Sequence, residues 1–339
     1  MHRSELTIDL AAVRRNVATL LRALDGSELW AVVKANGYGH GARDVAGAVL
    51  GAGATGLCVA TVAEAAVLRH EFPTARIIVM GPAAGRDIAS ARDARLELVV
   101  SDAELPTGVP VHLKLDTGMG RWGLSELPAP PVEVVGLMSH LATADTDAAY
   151  TEWQIERFRV ATSAYAHLTR HIANSAAALR YPTSRFDAAR CGIALYGLSP
   201  FGTNPAEDGL EPVLTWTSHV AQTRLLRAGE STGYGRRFVA ERDTWIGIVP
   251  VGYADGFRRH LTGTEVRVAG ELRRVVGTIS MDALAVELER SVPVGSPVVL
   301  IGRGVLAEEH ARVGNTITYE LVCGIASDPT RARRVVVDG

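Results

Sequence analysis

Five polar residues stand at or near the ends of short β-branched runs: Lys34 in AVVKANGYGHGA (31–42), Lys114 in VHLKLD, His140 in VVGLMSH, Ser175 in HIANS and Arg190 in DAARC. Each alone has an ordinary explanation. Lys34 can snorkel its ammonium to water, His140 can cap a strand, Ser175 can begin the helix of NSAAAL, and Arg190 can pair with a surface carboxylate. Gathered at the carboxyl ends of parallel strands they would form a site. A lysine withdrawn from water prefers its charged form less, which frees the amine to attack a carbonyl, above all the aldehyde of pyridoxal phosphate. Such a group also needs a phosphate cradle. Gly37, Gly39 and Gly41 around Tyr38 permit close backbone approach, ANSAA sets a hydroxyl at a helix start, and CGIALYG offers backbone N–H groups.

The runs that carry these residues recur along the chain: LWAVVKA, GLCVAT (56–61), ARIIVMG (75–81), LELVVS (96–101), VHLKLD (111–116), VVGLMSH (134–140), HIANS (171–175) and DAARCGIALYG (187–197). Helix-like stretches such as VAEAAVLRHEF and GRDIASARDA lie between them. Eight such units predict a TIM (β/α)8 barrel over residues 11–205. Between the fourth and fifth runs lies only DAELPTGVP, while a parallel crossover needs about a dozen residues, so one barrel helix, near 101–110, is expected to be missing or shortened. Beyond YGLSPFGTNPAEDG the texture changes to strands joined by Gly, Pro and charged turns, among them VLTWTSHVAQTRLL, DTWIGIVPVGYA and SPVVLIG. A mostly antiparallel β domain over 206–339 is expected, joined by the early strand at 5–10.

Composition narrows the classes. The 339 residues, 47% of them hydrophobic, suffice for a large core, and 35 basic against 37 acidic residues give a formal charge of −2. Neither nucleic acid nor an anionic membrane is implied as a partner. The opening MHRSELTIDLAAVRRNVATLLRAL mixes charge into every turn, and no later apolar run is long enough to span a bilayer, so a cytoplasmic protein is expected. Cys58, Cys191 and Cys323 are odd in number and widely spaced in apolar runs. They read as reduced core residues, neither disulfides nor a metal site.

AVVKANGYGHG resembles the cofactor-attachment signature of alanine racemases, and the similarity continues in family order through VHLKLDTGMGRWGL, LMSHLATAD, HIANSAAAL, RCGIALYGLSP, IVPVGYADGFRR, VVGTISMDALAV and TITYELVCGI. The resemblance implies interconversion of L- and D-alanine by a two-base mechanism on a pyridoxal-phosphate aldimine. It implies Lys34 as cofactor anchor and one base, with Tyr253 of the partner subunit in a homodimer as the other. His140 with Arg190 behind it would supply the positive neighbours that a phenolate near neutral pH requires. Arg190 would face the pyridine nitrogen, leave it unprotonated and weaken the electron sink, so that reprotonation outruns transamination. Arg121 would lie beside the cofactor's phenolic oxygen and the substrate carboxylate, oriented by Lys114, which is similar to a family lysine often found carbamylated. Tyr38, Ser175, Gly192, Ile193 and Tyr319 match phosphate-binding positions, and Met281 would press on the small substrate side chain. Gly37 stands where the family often has alanine, and the segment 101–110 is shorter than usual.

Without the resemblance, Tyr253 reads equally as an aromatic anchor between strands, and Lys114 as an ion-pair partner of Asp116. Three other functions compete. An amino-acid decarboxylase of the same architecture would show a GEPGR-like phosphate loop, which this sequence lacks. A broader racemase would accept serine, one oxygen larger than alanine, but the bulk of Met281 leans toward alanine. A non-catalytic pyridoxal-phosphate carrier would have no use for the β domain that contains Tyr253.

Overall fold

The computed structural model describes residues 2–102 and 104–339, which form two compact units: one spans Val13–Phe201 with Asp208–Leu210, the other the amino-terminal segment to Ala12, Gly202–Glu207 and Glu211–Gly339. The first strand, β1 (Glu5–Asp9), belongs to the latter. In the former, runs of Val, Ile and Leu buried on both faces become parallel strands. β2 (Glu28–Val32), β3 (Gly56–Val59), β4 (Ile77–Val79), β5 (Glu97–Val100), β6 (Val111–Lys114), β7 (Val134–Met138), β8 (Thr169–His171) and β9 (Ala188–Cys191) close a barrel in chain order. Closure is made by β9 on β2, with Arg190 opposite Trp30.

All eight expected strands are present, with two boundaries moved. HIANS is a strand only at its start, because Asn174 caps the helix Ser175–Arg180 by accepting the Ala177 N–H at 3.0 Å. DAARCGIALYG leaves the sheet after Cys191 and turns into the 3-10 segment Ile193–Tyr196. Among the described residues no helix lies between β5 and β6; the chain crosses there in turns.

The other unit is built on a nine-stranded sheet. Its later strands are β10 (Leu214–His219), β11 (Gln222–Leu226), β14 (Thr244–Val249), β15 (Glu265–Val268), β16 (Glu271–Val276), β17 (Leu284–Leu288), β18 (Pro297–Ile301) and β19 (Arg333–Val337), in the order β11-β14-β17-β16-β15-β18-β10-β1-β19. A two-stranded ribbon of β12 (Ser231–Thr232) and β13 (Phe238–Val239) stands apart from it. Every pairing in the large sheet is antiparallel except that of β1 with β19.

Cys58 and Cys191 are buried in the barrel strands, and burial pushes both thiols up to about 12. Cys323 departs from expectation. It is exposed, because it ends the helix Thr318–Cys323 one position beyond the inward-facing Leu321 and Val322. No helix among the described residues is long and apolar enough to cross a membrane.

The largest wholly buried side chain of the barrel is Trp30, whose Nε1 donates to Glu28 at 2.7 Å and whose ring meets His112 and His171 edge-on. Trp30→Ala is expected to cost about 3–5 kcal/mol of barrel stability, read from the denaturant midpoint. A loss below about 1 kcal/mol would mean that the barrel closes without it.

Candidate active site

The barrel's lysine sits on an unusual turn. β2 ends at Val32, and Ala35 (φ 52°, ψ 50°), Asn36 (φ 52°, ψ 46°), Gly37 and Tyr38 (φ 53°) then follow one another in the left-handed region. Left-handed geometry costs about 1–2 kcal/mol for each residue with a Cβ, so three such residues need support. The Gly37 N–H donates to Val33 O at 2.9 Å, that of Gly41 to Asn36 O at 2.9 Å, and that of Ala42 to Asn36 Oδ1 at 3.0 Å. Glu64 supplies the remaining brace. One of its oxygens accepts the Ala35 N–H at 2.8 Å, while the other accepts those of Ala60 and Thr61 at the start of the helix Val62–Glu71. The turn thereby holds Lys34 just past the strand end. Lys34 is half-buried there, and the more deeply buried lysine of the site is a different one, Lys114.

Lys114 is 3% exposed, and its pKa is lowered to about 8, first by burial and then by Arg121 and Arg190, against a smaller opposing pull from Asp116. An ion pair with Asp116 is not what holds it. The carboxylate of Asp116 instead accepts the backbone N–H groups of Gly118, Met119 and Gly120 at 2.8–3.2 Å. Lys114 and Arg121 both lie against the ring of Trp122, at 5.5 and 5.3 Å from its centre. Arg121 and Trp122 border a groove of about 880 Å³ that runs past Met80, Ile88, Val100 and Leu105, beside the crossover between β5 and β6.

Arg190 is 4% exposed and, among the described residues, pairs with no carboxylate. Its Nη1 donates to His171 Nδ1 at 2.6 Å and to His171 O at 3.0 Å, and its Nη2 to Ser139 O at 2.8 Å and toward His140 Nδ1 at 3.3 Å. Burial lowers its pKa to about 10, so it remains a cation at neutral pH. His140 differs from expectation. Burial, then Arg190, Lys114, Arg121 and Lys34, hold it well below the ordinary histidine value. It is a neutral imidazole that accepts from Arg190, so the positive charge in this pair is Arg190's alone.

The expected phosphate residues converge in part. Ser175 Oγ accepts the N–H of Gly192 at 2.9 Å and of Ala194 at 3.4 Å, and a Cβ on Gly192 would stand 2.4 Å from the Tyr38 hydroxyl. Tyr38, Ser175 and the Gly192–Ile193 turn therefore meet at one place, although the Gly192 amide is engaged by Ser175. Tyr38 stacks at 4.9 Å on Tyr196, which donates to Val32 O at 3.0 Å.

Tyr253, Met281 and Tyr319 belong to the other unit. The N–H groups of Tyr253 and Ala254 donate to the carbonyls of Ser280 and Met281 at 3.0 and 3.1 Å, so Tyr253 and Met281 share one piece of backbone. A Cβ on Gly252 would stand 2.2 Å from Ser280 O, which requires a glycine beside the tyrosine. Buried Asp255 fixes the turn, accepting from Gly252 N at 2.8 Å and from Arg3 and Arg331 at 3.0 Å each. Asp255 and Glu64 were not singled out from sequence. Asp255 stands inside the quoted VGYADG, and the T-x-x-E spacing of Thr61 and Glu64 is a capping box that could have been read.

Residues 8–200 match the sequence profile of the alanine racemase N-terminal domain, and residues 213–335 that of the C-terminal domain. The alanine racemase of Lactiplantibacillus plantarum is 38% identical over 99% of this chain and 98% of its own length. The solved biosynthetic alanine racemase of Pseudomonas aeruginosa superposes with a TM-score of 0.92 at 37% identity, over 99% of this chain and 100% of that one. The Bacillus anthracis alanine racemase with bound L-Ala-P does so with a TM-score of 0.86 at 33% identity, over 99% and 95%.

The environment of Lys114 has a measurable consequence. With a folded pKa near 8 against an ordinary 10.5, the unfolded chain binds the extra proton between those values, so this residue makes stability rise with pH across that window. Lys114→Met is expected to raise the unfolding free energy near pH 7, with the gain shrinking to nothing by about pH 10.5. A gain that does not change with pH would place its origin elsewhere.

Proposed function

Because the chain belongs to the alanine racemase family and interconverts L- and D-alanine, we propose a division of labour in which Lys34 and Tyr253 are the two bases, pyridoxal 5'-phosphate is the cofactor and a homodimer is the working unit. Two observations support the cofactor. The turn at Gly192 has no room for a side chain where the Tyr38 hydroxyl approaches, as a close-fitting phosphate cradle requires. The chemistry of the donor set agrees, since Arg190 is a buried cation at neutral pH and would offer a ring nitrogen a guanidinium rather than a carboxylate.

When bound, the cofactor supplies an electron sink that acidifies the α-hydrogen of alanine. Lys34 would hold it covalently, with Tyr38, Ser175, Gly192, Ile193 and Tyr319 on its phosphate. Arg190 would face the ring nitrogen without giving up a proton, which keeps the sink weak and the carbanion brief. Arg121 would orient the substrate carboxylate. Lys34 takes or returns the α-proton on one face of alanine, and Tyr253 of the partner subunit does so on the other. The neutral His140 would accept a hydrogen bond from Arg190 and transmit that cation's field to the phenolic oxygen. Lys114, whose lowered pKa makes its amine more available, would add to carbon dioxide with loss of a proton, giving an anionic carbamate beside Arg121. Met281, 51% exposed in the single chain, would limit the space for the substrate side chain.

The observation that carries this reading is Arg190, a buried guanidinium answered by carbonyls and neutral imidazoles. Its first test is on Lys34: borohydride reduction of the holoenzyme followed by peptide mapping is expected to fix the cofactor on Lys34, and Lys34→Ala to abolish racemisation measured by chiral analysis. Labelling of another lysine would defeat the assignment.

The dimer is tested by mixing Lys34→Ala with Tyr253→Phe after mild dissociation. Each heterodimer then holds one doubly altered and one intact site, so up to about a quarter of full activity returns if subunits exchange statistically. Continued inactivity with exchange demonstrated would remove Tyr253 from a shared site.

A further inference from the structure

The barrel interior holds a file of titratable groups that no step above engages. Glu97, the first residue of β5, has Oε2 at 2.7 Å from His112 Nε2; His112 Nδ1 is 2.9 Å from His171 Nε2; and His171 Nδ1 is 2.6 Å from Arg190 Nη1. Both imidazoles are wholly buried. Their hydrogens can be ordered in one way. Arg190 can only donate, so His171 Nδ1 accepts and its Nε2 carries the hydrogen. His112 Nδ1 must then accept, and its Nε2–H donates to the carboxylate of Glu97.

The surroundings agree with that order. Burial above all, with Arg190 adding to it, holds both histidines below their ordinary value, and the pull of Glu97 on His112 does not reverse this. For Glu97 burial pushes upward, but the hydrogen bonds and charges of His112 and Arg76 outweigh it and keep the group ionised. Arg76 binds Glu97 at 2.9 and 3.0 Å and lies 4.4 Å over Trp30. A Cβ on Gly136 would fall 2.1 Å from His112 Nδ1, so a glycine there leaves room for the linking atom.

We propose that Glu97 is a positioning residue for reaction selectivity: through the fixed hydrogen-bond order of His112 and His171, it orients the Arg190 guanidinium from the amino-terminal end of the barrel strands. This rests on Arg190 facing the ring nitrogen, as read above. Without an acceptor at position 97, His112 can move its hydrogen to Nδ1. His171 must then accept at Nε2 and carry its hydrogen on Nδ1, where it meets Arg190 Nη1–H donor against donor. The guanidinium would turn away and leave the ring nitrogen free to take a proton, so that the cofactor would supply a stronger electron sink, which favours transamination over return of the proton to alanine. Pyruvate would then be released by hydrolysis, with the amino group of alanine retained by the cofactor.

The test compares wild type, Glu97→Gln, which keeps an acceptor oxygen, and Glu97→Leu, which does not. Side-chain ¹⁵N NMR of the cofactor-free protein is expected to show His112 and His171 as neutral Nε2–H tautomers in wild type and Glu97→Gln, with the Nδ1–H form emerging in Glu97→Leu. Pyruvate released per racemisation event by the holoenzyme is expected to rise about fivefold or more in Glu97→Leu and to stay near wild type in Glu97→Gln. A charged or Nδ1–H imidazole at either position in wild type overturns the proposal, as does a Glu97→Leu variant with shifted tautomers and unchanged pyruvate. Glu97→Ala replaces Glu97→Leu if the latter does not fold. An Arg190→Glu control with unchanged pyruvate would overturn the underlying reading of Arg190 instead, separating the two failures.

Discussion

A guanidinium inside a barrel imposes a strict demand on its neighbours, because its N–H groups are fixed in direction and none can be left unanswered without a cost of about 1–3 kcal/mol or more. The acceptors of Arg190 come from the two neighbouring stretches of chain at the end of β8 and just past β7: the carbonyls of Ser139 and His171, and the rings of His140 and His171. None is a carboxylate. Among the described residues the charge has no direct ion pair, and it adds to burial in depressing the basicity of the histidines it touches. Burial and one cation together keep the imidazoles around it neutral.

The left-handed turn after Lys34 is the second concentration of conformational cost. Strain of this kind persists only where surrounding bonds over-determine it. Here Glu64 joins that turn to the start of a neighbouring helix through one carboxylate, so the lysine is placed by a capping interaction whose ordinary purpose is to begin a helix. The same economy recurs in the β-rich unit, where buried Asp255 fixes the Tyr253 turn by taking one backbone amide and two arginines.

Much of this was legible in the sequence. The eight strands were visible because buried parallel strands are continuous apolar runs, and the short DAELPTGVP interval was visible because a helical crossover has a minimum length. The motifs named the candidate positions for chemistry, but not their protonation. His140 was expected to bring positive charge and is neutral, because it is buried and because Arg190, fifty positions away in the chain, lies 3.3 Å away in space. Lys34 and Lys114 exchanged roles as the desolvated amine for a similar reason: burial is set by the packing of neighbouring strands, which a run of letters around one lysine does not encode. Cys323 was read from its apolar context, whereas the helix phase that turns it outward depends on which neighbours face inward.

The order of strands in the large sheet bears on how the chain acquires its shape during synthesis. β1 leaves the ribosome ahead of the whole barrel, yet it lies between β10, some two hundred residues later, and β19, later still. The sheet of the intervening barrel closes with β9 on β2, and so needs no strand beyond Cys191. It can therefore close while the segment before it still has no strand to pair with, and that segment must wait as an exposed, hydrogen-bonding edge for about as long as translation takes to reach its partners. The alternation of Leu6 and Ile8, buried in the finished sheet, with charged Glu5 and Asp9 makes it a short and partly charged edge, which limits its chance of pairing with a neighbouring nascent chain during that delay.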